Sequence, residues 1–242
     1  MNRRLEKKLV VVYSNVQGYN GKKDSVTEIA ETLECDVLLL TETMTTNVRM
    51  AGYKCITAKK SVGQDVAIIL RGKLSGVVPM RLYEPNDTIN MLGIRIEVAK
   101  NNFQRFYTSH MKQVSVNAKE IIRDQFSEIR QQFRQAAVCS EGMLLVCDAN
   151  VHVGSSGIPG CEDVQNWAGA EMMSLIQEEG LQLVNSMEYC QGVVTRVDPR
   201  NGNKSTLDLA ICNKYLIDEI QKMVIDEKEE YRPTNLLMQS LT

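Results

Sequence analysis

The sequence predicts an α+β protein in which two mixed β-sheets pack face to face and helices cover the outside. Three observations predict it. Short apolar runs rich in Val, Ile, Leu and Tyr recur along the whole chain. One of them, Ile89 to Val98, includes the alternation Ile94, Ile96, Val98 against Arg95 and Glu97, the mark of a sheet with one wet face and of antiparallel pairing. Helical periodicities fall between groups of these runs, which disfavours a purely parallel sheet.

In chain order the strand-like segments are Lys8 to Ser14, Asp36 to Thr41, Tyr53 to Thr57, Asp65 to Leu70, Leu74 to Met80, Ile89 to Val98, Phe103 to Ser109, Met143 to Asp148, Leu181 to Asn185, Val193 to Arg196 and Thr206 to Cys212. A first helix is expected where Ser25 and Glu28 form a capping box before Ile29 and Leu33. Ser115 to Ala137 is the clearest helix, because Ile122, Phe126, Ile129, Phe133 and Ala137 fall at helical spacing and must lie on a sheet. Ala170 to Glu179 carries Met172, Met173 and Ile176 before a terminating Gly180. Asn201-Gly202 is a hairpin signal inside the loop RVDPRNGNK.

Composition narrows the function classes. With 43% hydrophobic residues, 15 Gly and 5 Pro in 242 residues, the chain can bury a core and is not a disordered or collagen-like segment. Its apolar runs fall far short of the roughly 20 residues that span a bilayer, and the amino terminus lacks the core of a secretion signal. No membrane association is expected, and the location is intracellular, nuclear or cytoplasmic. A formal charge of −2 argues against bulk attraction to nucleic acid, so any DNA contact is local. The seven cysteines (Cys35, Cys55, Cys139, Cys147, Cys161, Cys190, Cys212) form no CxxC pair and read as reduced. No repeat or linker divides the chain, which reads as a monomer with one domain over residues 8–226, a basic tail over 1–7 and a charged segment over 227–242.

Carboxylates end three apolar strands. Glu42 follows VLLLT, Asp148 follows LLVC and Asp208 lies in STLDLAI, so oxygen ligands stand at the rim of a core, as a hard cation such as Mg²⁺ requires. Asn15 follows VVVYS, Asn150 lies two positions beyond Asp148, and Thr195 and Ser205 bracket a polar loop. Amides and hydroxyls beside carboxylates suit a phosphodiester, whose oxygens need hydrogen bonds while a metal takes the developing charge. Taken singly, each acid reads better as a solvated strand end and each Asn as a turn residue.

Taken in order, NVQG at 15–18, LLLTET at 38–43, FYTSH at 106–110, CDANVHVG at 147–154, VTR at 194–196 and STLDLAI at 205–211 resemble the serial motifs of the endonuclease/exonuclease/phosphatase superfamily. Within it the chain is similar to the endonuclease domain of LINE-type non-LTR retrotransposons and to craniofacial development protein 2-like proteins. The resemblance implies a four-layered αββα sandwich and a Mg²⁺-dependent (or Mn²⁺-dependent) phosphodiesterase with DNA as substrate. It further implies that Glu42 ligates the metal, with Asn15 and Gln17 of the first motif near metal and phosphate, and that Tyr107 touches the scissile phosphate. Asp148 and Asn150 would position the attacking water, and Asp208 would orient a catalytic histidine. Thr195 would bind near the phosphate, Ser205 would support the strand of Asp208, and Arg196, Arg200 and Lys204 would meet DNA phosphates.

The chain departs from the family at its end. The family closes with a Ser-Asp-His motif, and no histidine follows Asp208 here, so the expected fold lacks its final strand and the partner of Asp208. An inactive domain that binds nucleic acid or protein is the alternative reading. The two histidines, His110 and His152, read as loop or rim residues.

Overall fold

The computed structural model describes residues 9–57, 66–72, 74, 76–80, 90–198 and 200–226, and the backbone of 235–240. The basic tail over 1–7, the strand margins Lys8, Asp65 and Ile89, part of the Leu74 to Met80 run and residues 227–234 lie outside the described residues.

The elements in chain order are β1 (Leu9–Asn15), α1 (Tyr19–Thr32), β2 (Val37–Thr41), β3 (Tyr53–Thr57), β4 (Ala67–Arg71), β5 (Val78–Met80), β6 (Asn90–Ala99), β7 (Asn102–His110), α2 (Lys119–Val138) and β8 (Gly142–Asp148). There follow α3 (Trp167–Glu178), β9 (Gln182–Leu183), β10 (Cys190–Gln191), β11 (Arg196–Val197), β12 (Lys204–Ser205), β13 (Asp208–Cys212), β14 (Ile220–Ile225) and β15 (Asn235–Ser240). One mixed sheet runs β10-β14-β15-β1-β2-β4-β3 and the other β5-β6-β7-β8-β13-β9, while β11 and β12 form a separate hairpin.

Alternation of side chains along each strand builds the layers. Val11, Tyr13, Leu39 and Ile68 of the first sheet meet Leu92, Phe106, Val146 and Ala210 of the second in the central core. On the reverse of the first sheet, Val12, Leu38 and Ile69 pack on Val26 and Ala30 of α1. On the reverse of the second, Met91, Tyr107, Leu145 and Ile211 pack on Phe126, Phe133 and Met172 of α2 and α3. The result is the four-layered αββα sandwich.

Three expectations are corrected. The final strand is present: β15 lies between β1 and β14 and is antiparallel to both, so the segment read as a charged tail contributes sheet. Helix α1 begins at Tyr19, six residues before the predicted capping box, because Gly18 N donates to Glu42 O (2.8 Å) and Tyr19 N to Thr43 O (2.9 Å). Those carbonyls serve the amides of Gly18, which precedes the helix, and of Tyr19, its first residue, and Ser25 falls in mid-helix. Strand β14 was not expected, because a bulge between Ile220 and Lys222 breaks its alternation. The Gly180 stop is as expected: at φ 61° it donates to Gln177 O, and Leu181 N reaches back to Ile176 O.

Gly93 of β6 pairs with Tyr107 of β7, and a Cβ there would stand 2.2 Å from the tyrosine ring. The ring is fully buried and cannot step aside. Gly93→Ala is therefore expected to destabilise the fold by about 1–3 kcal/mol, read as a lowered urea midpoint at unchanged slope. An unchanged midpoint would refute this packing.

Candidate metal centre

The strand periodicity that builds the core also gathers the polar groups at one end of it. Stepping by two from core residues, β1 leads from Tyr13 to Asn15, β2 from Leu39 to Thr41, β7 from Phe106 to His110 and β8 from Val146 to Asp148; β13 leads from Ala210 back to Asp208. Register aligns them: His110 is opposite Asp148, Asp148 is opposite Asp208, and Asn15 is opposite Thr41. Glu42 is out of phase with this set, but β2 ends at Thr41 and Glu42 adopts φ 52°, which turns the chain at the strand end. Asn150, just past β8, is likewise left-handed at φ 50°. Each such residue costs on the order of 1 kcal/mol or more, and such strain concentrates at functional sites.

Ligand atoms of Glu42, His110 and Asp148 lie within 4.8 Å of one another. His110 Nε2 is 3.7 Å from Glu42 Oε1 and 3.5 Å from Asp148 Oδ2. Asn15 Nδ2 donates to both carboxylates, to Glu42 Oε1 at 3.0 Å and to Asp148 Oδ2 at 2.9 Å, spanning the two sheets. Asn150 Nδ2 donates to Met111 O (3.0 Å) and lies 3.5 Å from His110 Nε2. Burial raises the Asp148 carboxyl well above the usual carboxylate range, and the charges of Asp208 and Glu42 add to it. Burial also lowers the His110 imidazolium, against the pull of Glu42, which favours the neutral ring that can ligate.

A divalent cation fits these residues. Asn15 Oδ1 and Asp148 Oδ1 are buried with no hydrogen-bond partner among the described residues, a state that leaves lone pairs for a ligand. With the Glu42 carboxylate they form a hard oxygen set, to which His110 adds one nitrogen.

Not every predicted residue joins this cluster. Tyr107 does not: three positions from His110, it faces the opposite side of β7, where its hydroxyl donates to Gln132 Oε1 (3.1 Å) on α2 and burial pushes its pKa up to about 12. A phosphate contact from Tyr107 is thereby corrected, and the group of the FYTSH motif that enters the site is His110, which is buried and not at a rim. Gln17 is exposed on the turn after β1, at φ 44°. Thr195 Oγ1 accepts from the amides of Leu207 and Asp208 (2.9 and 3.1 Å), so Thr195 supports the start of β13, the part assigned to Ser205. Ser205 itself pairs with Arg196 in the β11–β12 hairpin, whose turn holds Asn201-Gly202 as expected. Arg200 forks onto Asp198, whose carboxyl falls to about 2, so that cation is matched locally while Arg196 and Lys204 stand on the two hairpin strands.

Sequence reasoning missed several supports. Asp163 Oδ2 accepts from Thr206 N (2.8 Å) and lies 3.3 Å from His152 Nδ1, tying the loop after β8 to the approach of β13. Asn185 brackets Asp208 by donating to its carbonyl and accepting from Ala210 N. Tyr13 donates to Asp208 Oδ1 at 2.6 Å. For His110 a signal was available, since side-chain parity along FYTSH separates it from Tyr107; Asp163 and Asn185 have none, being isolated polar residues in loops and short turns.

The sandwich and the polar cluster at its end define the endonuclease/exonuclease/phosphatase fold. Three solved structures show the likeness in particular. The endonuclease domain of TRAS1, a telomere-specific non-LTR retrotransposon, superposes with a TM-score of 0.77 at 17% identity, covering 97% of this chain and 99% of that one. The 3′-5′ exonuclease NExo of Neisseria meningitidis gives 0.75 at 13% identity over 97% and 100% of the two chains. The AP endonuclease LMAP of Leishmania major gives 0.75 at 11% identity over 98% and 88%. No protein-family model matches the sequence, and neither does any curated protein. Among the described residues, no helix is long and apolar enough to cross a membrane.

Proposed function

We propose that this chain is a Mg²⁺-dependent phosphodiesterase that nicks DNA, acting as a monomer through one domain that includes β15. The observation that carries the reading is the convergence of Glu42, His110 and Asp148, with Asn15 bridging the two carboxylates across the sheets. Its neighbours in fold support DNA as the substrate: one is a retrotransposon endonuclease and another, a Neisseria 3′ phosphatase, was solved with a product DNA hairpin. Glu42, Asp148 and the carbonyl oxygen of Asn15 would hold the ion, whose chemistry is to neutralise charge developing on the phosphate. Asp148 and Asn150 orient a water for attack. His110, whose burial favours the neutral ring, would reach a phosphate or the ion, the task first given to Tyr107. Arg196 and Lys204 on the hairpin provide phosphate contacts beside the site, which position DNA without reading its sequence.

Supercoiled plasmid incubated with the protein and Mg²⁺ is expected to give relaxed circles, and Asp148→Ala to slow this by about 10²-fold or more. Equal product from wild type and Asp148→Ala would remove the reading. One sequence fact favours a second function, a non-catalytic nucleic-acid-binding domain: the stretch from Asp208 through β15 holds no histidine. Salt-sensitive DNA retention without Mg²⁺, together with no nicking, selects it.

A further inference from the structure

Asp208, at the start of β13 in the second sheet, is bonded by a side chain of the first. Tyr13 is fully buried on the inner face of β1, and its hydroxyl lies 2.6 Å from Asp208 Oδ1 and 2.9 Å from Thr41 Oγ1. A carboxylate accepts and does not donate, so the phenol proton goes to Asp208; the Tyr13 oxygen then accepts from Thr41. This chain of hydrogen bonds crosses between the sheets, from Thr41 at the end of β2, through β1, to Asp208 at the start of β13. Each end touches the metal centre: Thr41 immediately precedes Glu42, and Asp208 is the cross-strand partner of Asp148.

We propose that Tyr13 is a positioning residue of the metal centre, clamping the Glu42-bearing and Asp148-bearing sheets at a fixed separation and holding Asp208 away from Asp148. The proposal rests on the metal reading above and assigns a role that none of the motifs carries. Two adjacent buried carboxylates repel each other unless their surroundings differ. Here the surroundings do differ. Asp208 is tied by Tyr13 at its side chain, by Thr195 at its amide and by Asn185 at its carbonyl. Asp148 keeps Oδ1 without a partner among the described residues, while its Oδ2 accepts from Asn15 and lies 3.5 Å from His110 Nε2. The tyrosine thus fixes which of the two acids presents a bare oxygen to the cleft. Without the hydroxyl, Asp208 loses the donor that ties it to the first sheet, and the sheets lose a polar tie next to Glu42.

The test compares two Tyr→Phe variants of the full chain by calorimetric titration of Mn²⁺ into metal-stripped protein. Tyr13→Phe is expected to weaken Mn²⁺ binding about tenfold or more, as loss of a support to a ligand typically does. Tyr107→Phe removes an equally buried hydroxyl on the far side of the second sheet and is expected to leave the affinity unchanged. Thr41→Val, which deletes the first link and leaves Tyr13 intact, is expected to weaken binding in the same direction, and it carries the test if Tyr13→Phe does not fold. Wild-type affinity in folded Tyr13→Phe, or equal losses in the two tyrosine variants, would overturn the role of Tyr13 alone. Absence of Mn²⁺ binding by the wild type would overturn the metal reading itself, and the clamp with it.

Discussion

Replacing Asp148 with Asn is expected to make the metal-free protein more stable and to remove the proposed nicking activity. The two effects have one cause. Asp148 stands in a buried site beside Asp208 and Glu42, and its carboxyl is raised well above its ordinary value by that burial and those neighbours, so ionising it in the fold is costly. An acid with a raised folded-state pKa weakens the fold wherever it is ionised in the unfolded chain, above about 3.9, and the penalty grows with pH until the folded value is passed. Asparagine keeps an oxygen for the Asn15 amide, which lies at 2.9 Å, and removes the ionisable group. In chelator, Asp148→Asn should therefore raise the urea midpoint at pH 7, by about 1–2 kcal/mol, and the gain should shrink as the pH is lowered toward about 3.9. With Mg²⁺ the order reverses, because only the wild type gains the binding free energy, about 2.7 kcal/mol at a hundredfold excess over Kd. Plasmid nicking falls by about 10²-fold or more in the same variant. A wild type that outlasts Asp148→Asn in chelator at pH 7 would show that this carboxylate is not held against its own repulsion.

How far the site could be read from the chain depends on the kind of signal each residue left. Asn15, Asp148 and Asp208 stand at or beside the ends of apolar strands, and period-two alternation carries all three into the space between the sheets. Tyr107 and His110 show where motif reading alone fails: three positions apart on β7, they face opposite layers, and only parity along the strand tells them apart. The start of α1 was illegible for another reason. Its first amides are served by carbonyls of Glu42 and Thr43, more than twenty positions on by the numbering, so no local cap marks it. β15 was misjudged because its pairing is wholly tertiary: β1 and β14 flank it, and the charged residues before it masked the apolar run Leu236, Leu237, Met238.

The structure also contains a charge cluster remote from the metal centre, and its loss should be the most damaging to the fold. Arg95 and Arg105 are cross-strand partners on β6 and β7, and both donate to Glu141, in the turn from α2 to β8, at 2.5 Å. Arg105 and Glu141 are each only 7% exposed at the side chain. Burial pushes the Glu141 carboxyl up, but hydrogen bonds from Arg95 and Arg105 outweigh it and hold the group below its usual value. The carboxylate therefore stabilises the fold above the unfolded value of about 4.3, and this contribution is lost as pH falls through the lower folded value. Glu141→Gln keeps the shape and strands the Arg105 guanidinium without its counter-charge, a change expected to cost about 3–5 kcal/mol at pH 7. The difference between variant and wild type should narrow in acid, as the wild-type carboxylate takes up its proton. Five residues along β7 separate Arg105 from His110, roughly 17 Å of strand, so Mn²⁺ affinity of whatever fraction remains folded should match the wild type. Chemical denaturation of Glu141→Gln across pH decides it: a loss below about 1 kcal/mol would mean that the two guanidiniums find water or other partners when the carboxylate charge is gone.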